Sequence, residues 1–190
     1  MKILIGSDIH GSATYCRALV NIFNKSGADK LVLLGDILYH GPRNDLPGGY
    51  APKEVITLLN GISGKILCVR GNCEAEVDQM VLNFPVMAEY ALIPVADRMM
   101  FVTHGHKFNE ENLPPMDEGD ILLNGHTHVP AVREHEHYIY MNPGSTSIPK
   151  EDSCHSFMLA NDGHFEWYDI QEAFDADGLE DVKPYMVYDI

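Results

Sequence analysis

The first half of the chain alternates short apolar runs with amphipathic stretches. Lys2 to Ser7 is too short and too apolar for a helix and reads as a buried strand. Ser12 to Lys25 puts Tyr15, Leu19, Ile22 and Phe23 on one helical face, with Gly27 as a stop. Lys30 to Leu34 predicts a second strand, followed by a Gly- and Pro-rich loop from Leu38 to Tyr50. Pro52 suits the first turn of a helix whose Val55, Ile56 and Leu59 form the buried stripe. Lys65 to Val69 predicts a third strand, and Glu74 to Leu82 a short helix.

The second half reads as strands. They run over Glu89 to Ile93, Met99 to Thr103, Ile121 to Asn124, Ala131 to Arg133, Tyr138 to Met141, Phe157 to Ala160 and His164 to Tyr168. Turns such as Asn161-Asp162-Gly163 suit hairpins. β-α-β units followed by a run of strands predict an α+β fold, a two-sheet β-sandwich flanked by helices. On this reading residues 1–168 are one domain. Residues 169–190 are an acidic tail, either a helix packed outside or partly disordered.

Composition narrows the function classes. The chain has 190 residues, 45% apolar, enough for a sizeable core in one domain. Its net charge of −15 argues against polymeric nucleic acid, whose phosphates require clustered Lys and Arg, and against an anionic membrane surface. It leaves a small phosphate substrate open, because bound metal ions reverse the local field. The run Ile3 to Ile5 is too short for a signal peptide, and no window has the length of a membrane span. A cytoplasmic protein is expected. Cys16, Cys68, Cys73 and Cys154 form no Cys-x-x-Cys pair and read as reduced thiols.

Five apolar runs end in a polar tag: Asp8-Ile9-His10, Gly35-Asp36, Gly71-Asn72, His104-Gly105-His106 and Gly125-His126-Thr127-His128. Strand ends in such sheets share one edge, where ligands bind, so the tags can meet in one pocket. Carboxylate, amide oxygen and imidazole are ligands of Mn²⁺, Fe²⁺, Zn²⁺ and similar ions. In Asp-x-His and His-x-His, alternate residues of an extended chain point the same way. Glycines before Asp36, Asn72 and His126 leave room for a tight turn. Each tag alone is weak, since Gly-Asp and Gly-Asn are common in turns and His-x-His also suits a single zinc site. The ordered set is the specific signal. His135, His137, His155 and His164 lack such a context and read as surface residues.

This order of motifs resembles the calcineurin-like metallophosphoesterases, and within them the small bacterial YfcE-type phosphodiesterases. Gly35-Asp36 through His40-Gly41-Pro42-Arg43-Asn44, Arg70-Gly71-Asn72-Cys73 and Asn142-Pro143-Gly144-Ser145 are similar to that subgroup. The resemblance spans Met1 to Trp167. It implies two divalent metal ions, Mn first and Zn, Fe or Ni as alternatives. Asp8, His10 and His128 would hold one ion; Asn72, His104 and His126 would hold the other; Asp36 would bridge them. Asp36, Asn72 and His104 also count as catalytic, and a hydroxide between the ions would be the nucleophile.

His40 and Arg43 read either as a solvated loop or as substrate contacts, since Arg forks onto phosphate. His106 reads as a substrate contact or a structural histidine. Cys73 stands where many members of the wider superfamily carry histidine, and either contacts substrate or packs beneath the loop. Asn142 and Ser145 would brace the histidine ligands from a turn. The activity implied is hydrolysis of a small phosphodiester. The rivals are a phosphomonoesterase and a non-catalytic scaffold of the same fold that binds protein. A homo-oligomer is compatible with the sequence.

Overall fold

The computed structural model describes residues 1–190. Three strands, β1 (Lys2–Gly6), β2 (Lys30–Leu33) and β3 (Ile66–Cys68), run parallel. The helices α1 (Ala13–Ser26) and α2 (Pro52–Asn60) are their crossovers. The hydroxyl of Ser12 caps α1, accepting from the Tyr15 N–H, and Gly27 closes it in a left-handed conformation at φ 70°. A short helix, α3 (Glu76–Val81), follows β3.

Three hairpins, and a further strand running parallel to one strand from each of two of them, follow. They are β4 (Ala91–Val95), β5 (Arg98–Val102), β6 (Asp120–Leu123), β7 (Pro130–Glu134), β8 (Tyr138–Pro143), β9 (Ser156–Asn161) and β10 (His164–Asp169). Asp162 and Gly163 both adopt positive φ in the turn between β9 and β10, as two-residue hairpins require. The segment 169–190 carries α4 (Ile170–Asp175), capped by the Asp169 carboxylate, and a last strand, β11 (Met186–Asp189). No strand was expected there. β11 adds to β10 through backbone pairing, which an acidic, weakly patterned sequence does not announce.

The strands form a six-stranded sheet, β11-β10-β9-β1-β2-β3, and a five-stranded sheet, β4-β5-β6-β8-β7. Alternation in β1 shows how they stack. Ile3 and Ile5 face the second sheet, packing with Val102, Ile121, Leu123 and Trp167. Leu4 faces the other way, onto Leu19, Ile22 and Phe23 of α1 and Val55 and Leu59 of α2. A sheet buried on both faces explains the continuously apolar strands near the N-terminus. Ile56, expected in the stripe of α2, is only half-buried. Trp167 ties the sheets together, its indole N–H donating to the Asn142 carbonyl at 2.7 Å.

Candidate metal centre

The parallel strands of the two sheets, β1, β2, β3 and β5, β6, deliver their polar tags to one place. The route is not extended chain. Asp8, His10, Asp36, His126 and His128 have φ of 56°, 47°, 53°, 64° and 63°. The expectation that alternate residues of an extended segment aim the tags is therefore corrected. The loops are locked in left-handed turns by each other's backbones: His10 N–H donates to the Asp36 carbonyl and Asp8 N–H to Gly35, at 2.8 and 3.2 Å. Side chains with a Cβ adopt this region only where the surroundings over-determine it, at about 1–3 kcal/mol each. Glycine is needed where the loops touch, since a Cβ on Gly71 would strike the Asp36 carboxylate and one on Gly125 the Ser7 hydroxyl.

Three imidazoles are aimed by carbonyls. Nδ1 of His10 lies 2.7 Å from the Tyr39 carbonyl, Nδ1 of His104 2.6 Å from Leu34, and Nδ1 of His128 2.6 Å from Ile148. A proton on each Nδ1 leaves Nε2 a lone pair turned inward. Two clusters result. In the first, Asp8 Oδ1 lies 3.6 Å from His10 Nε2 and 3.2 Å from His128 Nε2, and the two Nε2 atoms are 3.3 Å apart. In the second, His104 Nε2 lies 3.1 Å from Asn72 Oδ1 and 3.2 Å from His126 Nδ1. Asp36 stands between them, its Oδ2 3.7 Å from His10 Nε2 and 3.6 Å from His104 Nε2.

These residues fit divalent cations. Asp8 is fully buried, yet its Oδ1 receives no hydrogen bond. Facing lone pairs and an unpaired buried carboxylate oxygen both call for positive charge. The protons respond in kind. Burial opposes the charge of Asp8, but His10, His128 and His104 hold its carboxyl well below the ordinary value. Burial likewise opposes charge on His10, but Asp8 raises it above the usual range.

The surrounding residues hold this arrangement. Ser145 and Ser147 hydroxyls each donate to the Asp8 carbonyl at 3.0 Å, and Asn142 Nδ2 donates to the Gly125 carbonyl at 2.8 Å. Asn142 thus holds the loop that carries His126 and His128, whereas Ser145, expected to brace the histidines as well, donates to the Asp8 loop. Glu74, which the sequence marks only as the start of a short helix, has a structural role here. Buried beneath the loops, it accepts the N–H groups of Asp36, Ile37 and Gly71 at 2.9, 2.7 and 2.5 Å. Burial, then the neighbouring Asp36, pushes its carboxyl up. The only sequence signal was a carboxylate two residues after the asparagine.

A cleft of about 430 Å³ opens above the clusters, lined by Asp36, Asn72, Cys73, His126 and His128, with Arg43 and Lys150 also in its wall. Arg43 is therefore brought to the centre. His40 is not in the lining; it is half-buried with its ring edge-on to Tyr39 and Tyr50. His106 lies outside the lining too, its ring 5.4 Å from that of His104. Burial and the neighbouring His104 and His126 lower its pKa to about 4. Cys73 meets Asp36 twice, through its backbone N–H at 2.8 Å and its thiol at 3.2 Å. Burial and Asp36 push that thiol far up, so it stays protonated. His155, expected on the surface, is half-buried and stacked on Tyr15 with ring centroids 3.7 Å apart. All four cysteines are free, and no helix is long and apolar enough to cross a membrane.

Residues 1–162 match the model of the calcineurin-like phosphoesterase superfamily domain. The chain is 47% identical to phosphodiesterase YfcE of Escherichia coli K12 over 163 residues, 85% of this chain and 89% of that one. It is 24% identical to phosphodiesterase MJ0936 of Methanocaldococcus jannaschii over 162 residues, 78% of this chain and 89% of the relative. The solved structure of Yfce, described as a phosphoesterase from E. coli, superposes with a TM-score of 0.91 at 39% identity, covering 100% of both chains.

Proposed function

This chain belongs to the calcineurin-like phosphoesterase superfamily and is a metal-dependent phosphodiesterase, and on that footing we propose that two divalent ions serve its reaction. The observation that carries the number is the pair of clusters with Asp36 between them. Asp8, His10 and His128 would hold one ion, Asn72, His104 and His126 the other, and Asp36 both. When bound, such ions polarise the phosphoryl oxygens and lower the pKa of water so that it attacks at neutral pH. The donor set of imidazole, carboxylate and amide supports Mn²⁺, with Zn²⁺, Fe²⁺ or Ni²⁺ as alternatives.

The chain's own residues do the rest. The carbonyls of Tyr39, Leu34 and Ile148 fix three imidazoles, and Glu74 ties the Asp36 loop to the Gly71 loop. Asp36, Asn72 and His104 are the catalytic residues of this reading: Asp36 and Asn72 line the cleft, and the buried His104 sets its Nε2 3.6 and 3.1 Å from their oxygens. Arg43 forks onto the phosphate from the wall, and Cys73 donates its S–H toward Asp36 beside the substrate. His40 and His106 contact substrate only at its margins, since neither lines the cleft.

The substrate proposed is a small diester. The cleft volume and the acidity of the whole chain support this over polymeric nucleic acid or an anionic membrane. Residues 1–168 are the phosphoesterase domain and 169–190 an appended segment on its sheet edge, in a cytoplasmic protein free to self-associate. The test is a screen of the pure protein with Mn²⁺ against chromogenic mono- and diesters, then natural nucleotides. Diesters should be the better substrates. Preference for monoesters would favour a phosphomonoesterase; no turnover with metal bound would favour the scaffold reading.

A further inference from the structure

The chain carries 13 Lys and Arg against 28 Asp and Glu, so its cations have abundant partners. Lys53, Lys65 and Lys183 stand outside the cleft without a side-chain partner. Of the rest, five form ion pairs, Arg17 with Glu54, Lys25 with Asp177, Arg70 and Lys107 with Glu89, Arg133 with Glu110, and Lys2, Lys30 and Arg98 donate to backbone carbonyls. Arg43 and Lys150 remain. Neither side chain makes an ion pair or a hydrogen bond, and both line the cleft over the metal clusters. They come from different sheets, Arg43 from the loop after β2 and Lys150 from the loop after β8.

The backbone of Lys150 is not free to wander. Its N–H donates to the carbonyl of His128 at 3.3 Å, and its carbonyl accepts from the N–H and hydroxyl of Ser153 at 3.1 and 2.6 Å. Its acidic neighbours Glu151 and Asp152 are held in left-handed turns, at φ 53° and 57°, and neither lines the cleft. The backbone of Lys150 is thus anchored to that of a metal-cluster histidine, and its side chain, in the cleft wall, has no carboxylate of its own.

Charge matching says what it is for. Two divalent ions already outweigh Asp8 and Asp36, and the scissile diester brings a single negative charge. Arg43 suffices for that phosphate, because its fork matches two oxygens. A further ammonium in the same wall has no counter-charge from a simple diester. We propose that Lys150 is a subsite for a second anionic group, and that the favoured substrate is a small phosphodiester carrying a further phosphate or carboxylate on one arm. The inference rests on the phosphodiesterase reading of this site.

The test uses three p-nitrophenyl diesters of equal length, whose second arm ends in a methyl, a carboxylate or a phosphate group. The Mn²⁺-loaded wild type should prefer an anionic arm over the neutral one by about tenfold in kcat/KM, the scale of one well-placed charge-assisted contact. The gain should lie in KM and fade in high salt, where charges are screened. Whichever anionic arm is preferred identifies the group. Lys150→Ala should cut the preference at least fivefold, and Lys150→Arg should keep it. An equal preference in wild type and Lys150→Ala overturns the subsite. So does Lys150→Ala that has lost all three activities with its metal intact, because Lys150 would then act on the reaction itself. A loaded wild type that cleaves none of the three would overturn the phosphodiesterase reading instead.

Discussion

His10 and His128 point their Nε2 atoms at each other across 3.3 Å, while the Nδ1 atom of each is taken by a backbone carbonyl. The two nitrogens converge beside a buried Asp8 oxygen that receives no hydrogen bond, an arrangement that a cation completes. Metal removal should therefore abolish turnover and lower the melting temperature together, since a ligand bound only by the folded state stabilises it. Added Mn²⁺ should restore both. The measurement is activity and thermal unfolding before and after chelation; full activity in metal-free protein would sink the mechanism.

Asp36→Asn should cost more than any other single change among the metal-site residues. The carboxylate lies within 3.7 Å of an imidazole from each cluster, and its other oxygen accepts the Cys73 N–H at 2.8 Å. The amide removes the charge shared by both sites. Metal content and rate, measured beside His10→Ala and His126→Ala, check this; two metals per chain with a near-normal rate would refute the bridging role.

Arg43→Ala should raise KM several-fold with little loss of stability. The side chain is exposed and bound to nothing, so truncation removes only what it offers the substrate. An unchanged KM in variant protein with intact metal returns Arg43 to a surface charge.

Cys73→His should speed esters with poor leaving groups more than esters with good ones. The thiol is kept protonated by burial and by Asp36, and it is a weak donor. An imidazolium there could supply general-acid help, typically worth about 10²–10⁴-fold. The check is a series of esters of graded leaving-group pKa, run on both proteins with metal content measured. Identical dependence on the leaving group would show that an acid at this position does not set substrate choice.

His164 and Asp189 join the last strand to its neighbour, with Nδ1 2.6 Å from the carboxylate. That hydrogen bond, helped by Glu166, raises the imidazole above its ordinary pKa of 6.5. The sign follows from the raised value. The contact's contribution to stability is complete below the unfolded pKa and is lost as pH rises through the folded one. Asp189→Asn should move the His164 titration, followed by NMR, back toward 6.5. No movement would mean that the pair does not hold in solution.

Much of this protein is written locally. The strands and the long helix follow from periodicity, because burying one face or both imposes a pattern that neighbouring residues share. The ligand types follow from single residues at strand ends, where chemistry is carried by identity and order. What sequence could not supply was anything decided by a distant backbone group. The carbonyls of Leu34, Tyr39 and Ile148 choose which ring nitrogen faces inward, and no residue type marks a carbonyl as a partner. The left-handed turns at Asp8, His10, Asp36, His126 and His128 exist because the loops lock one another, against the preference of those residues for extended chain. Glu74 beneath the Asp36 loop, Lys150 in the cleft wall, His155 on Tyr15 and strand β11 were silent for the same reason. Each takes its role from a partner far along the chain, and that pairing comes into being only when the two sheets close.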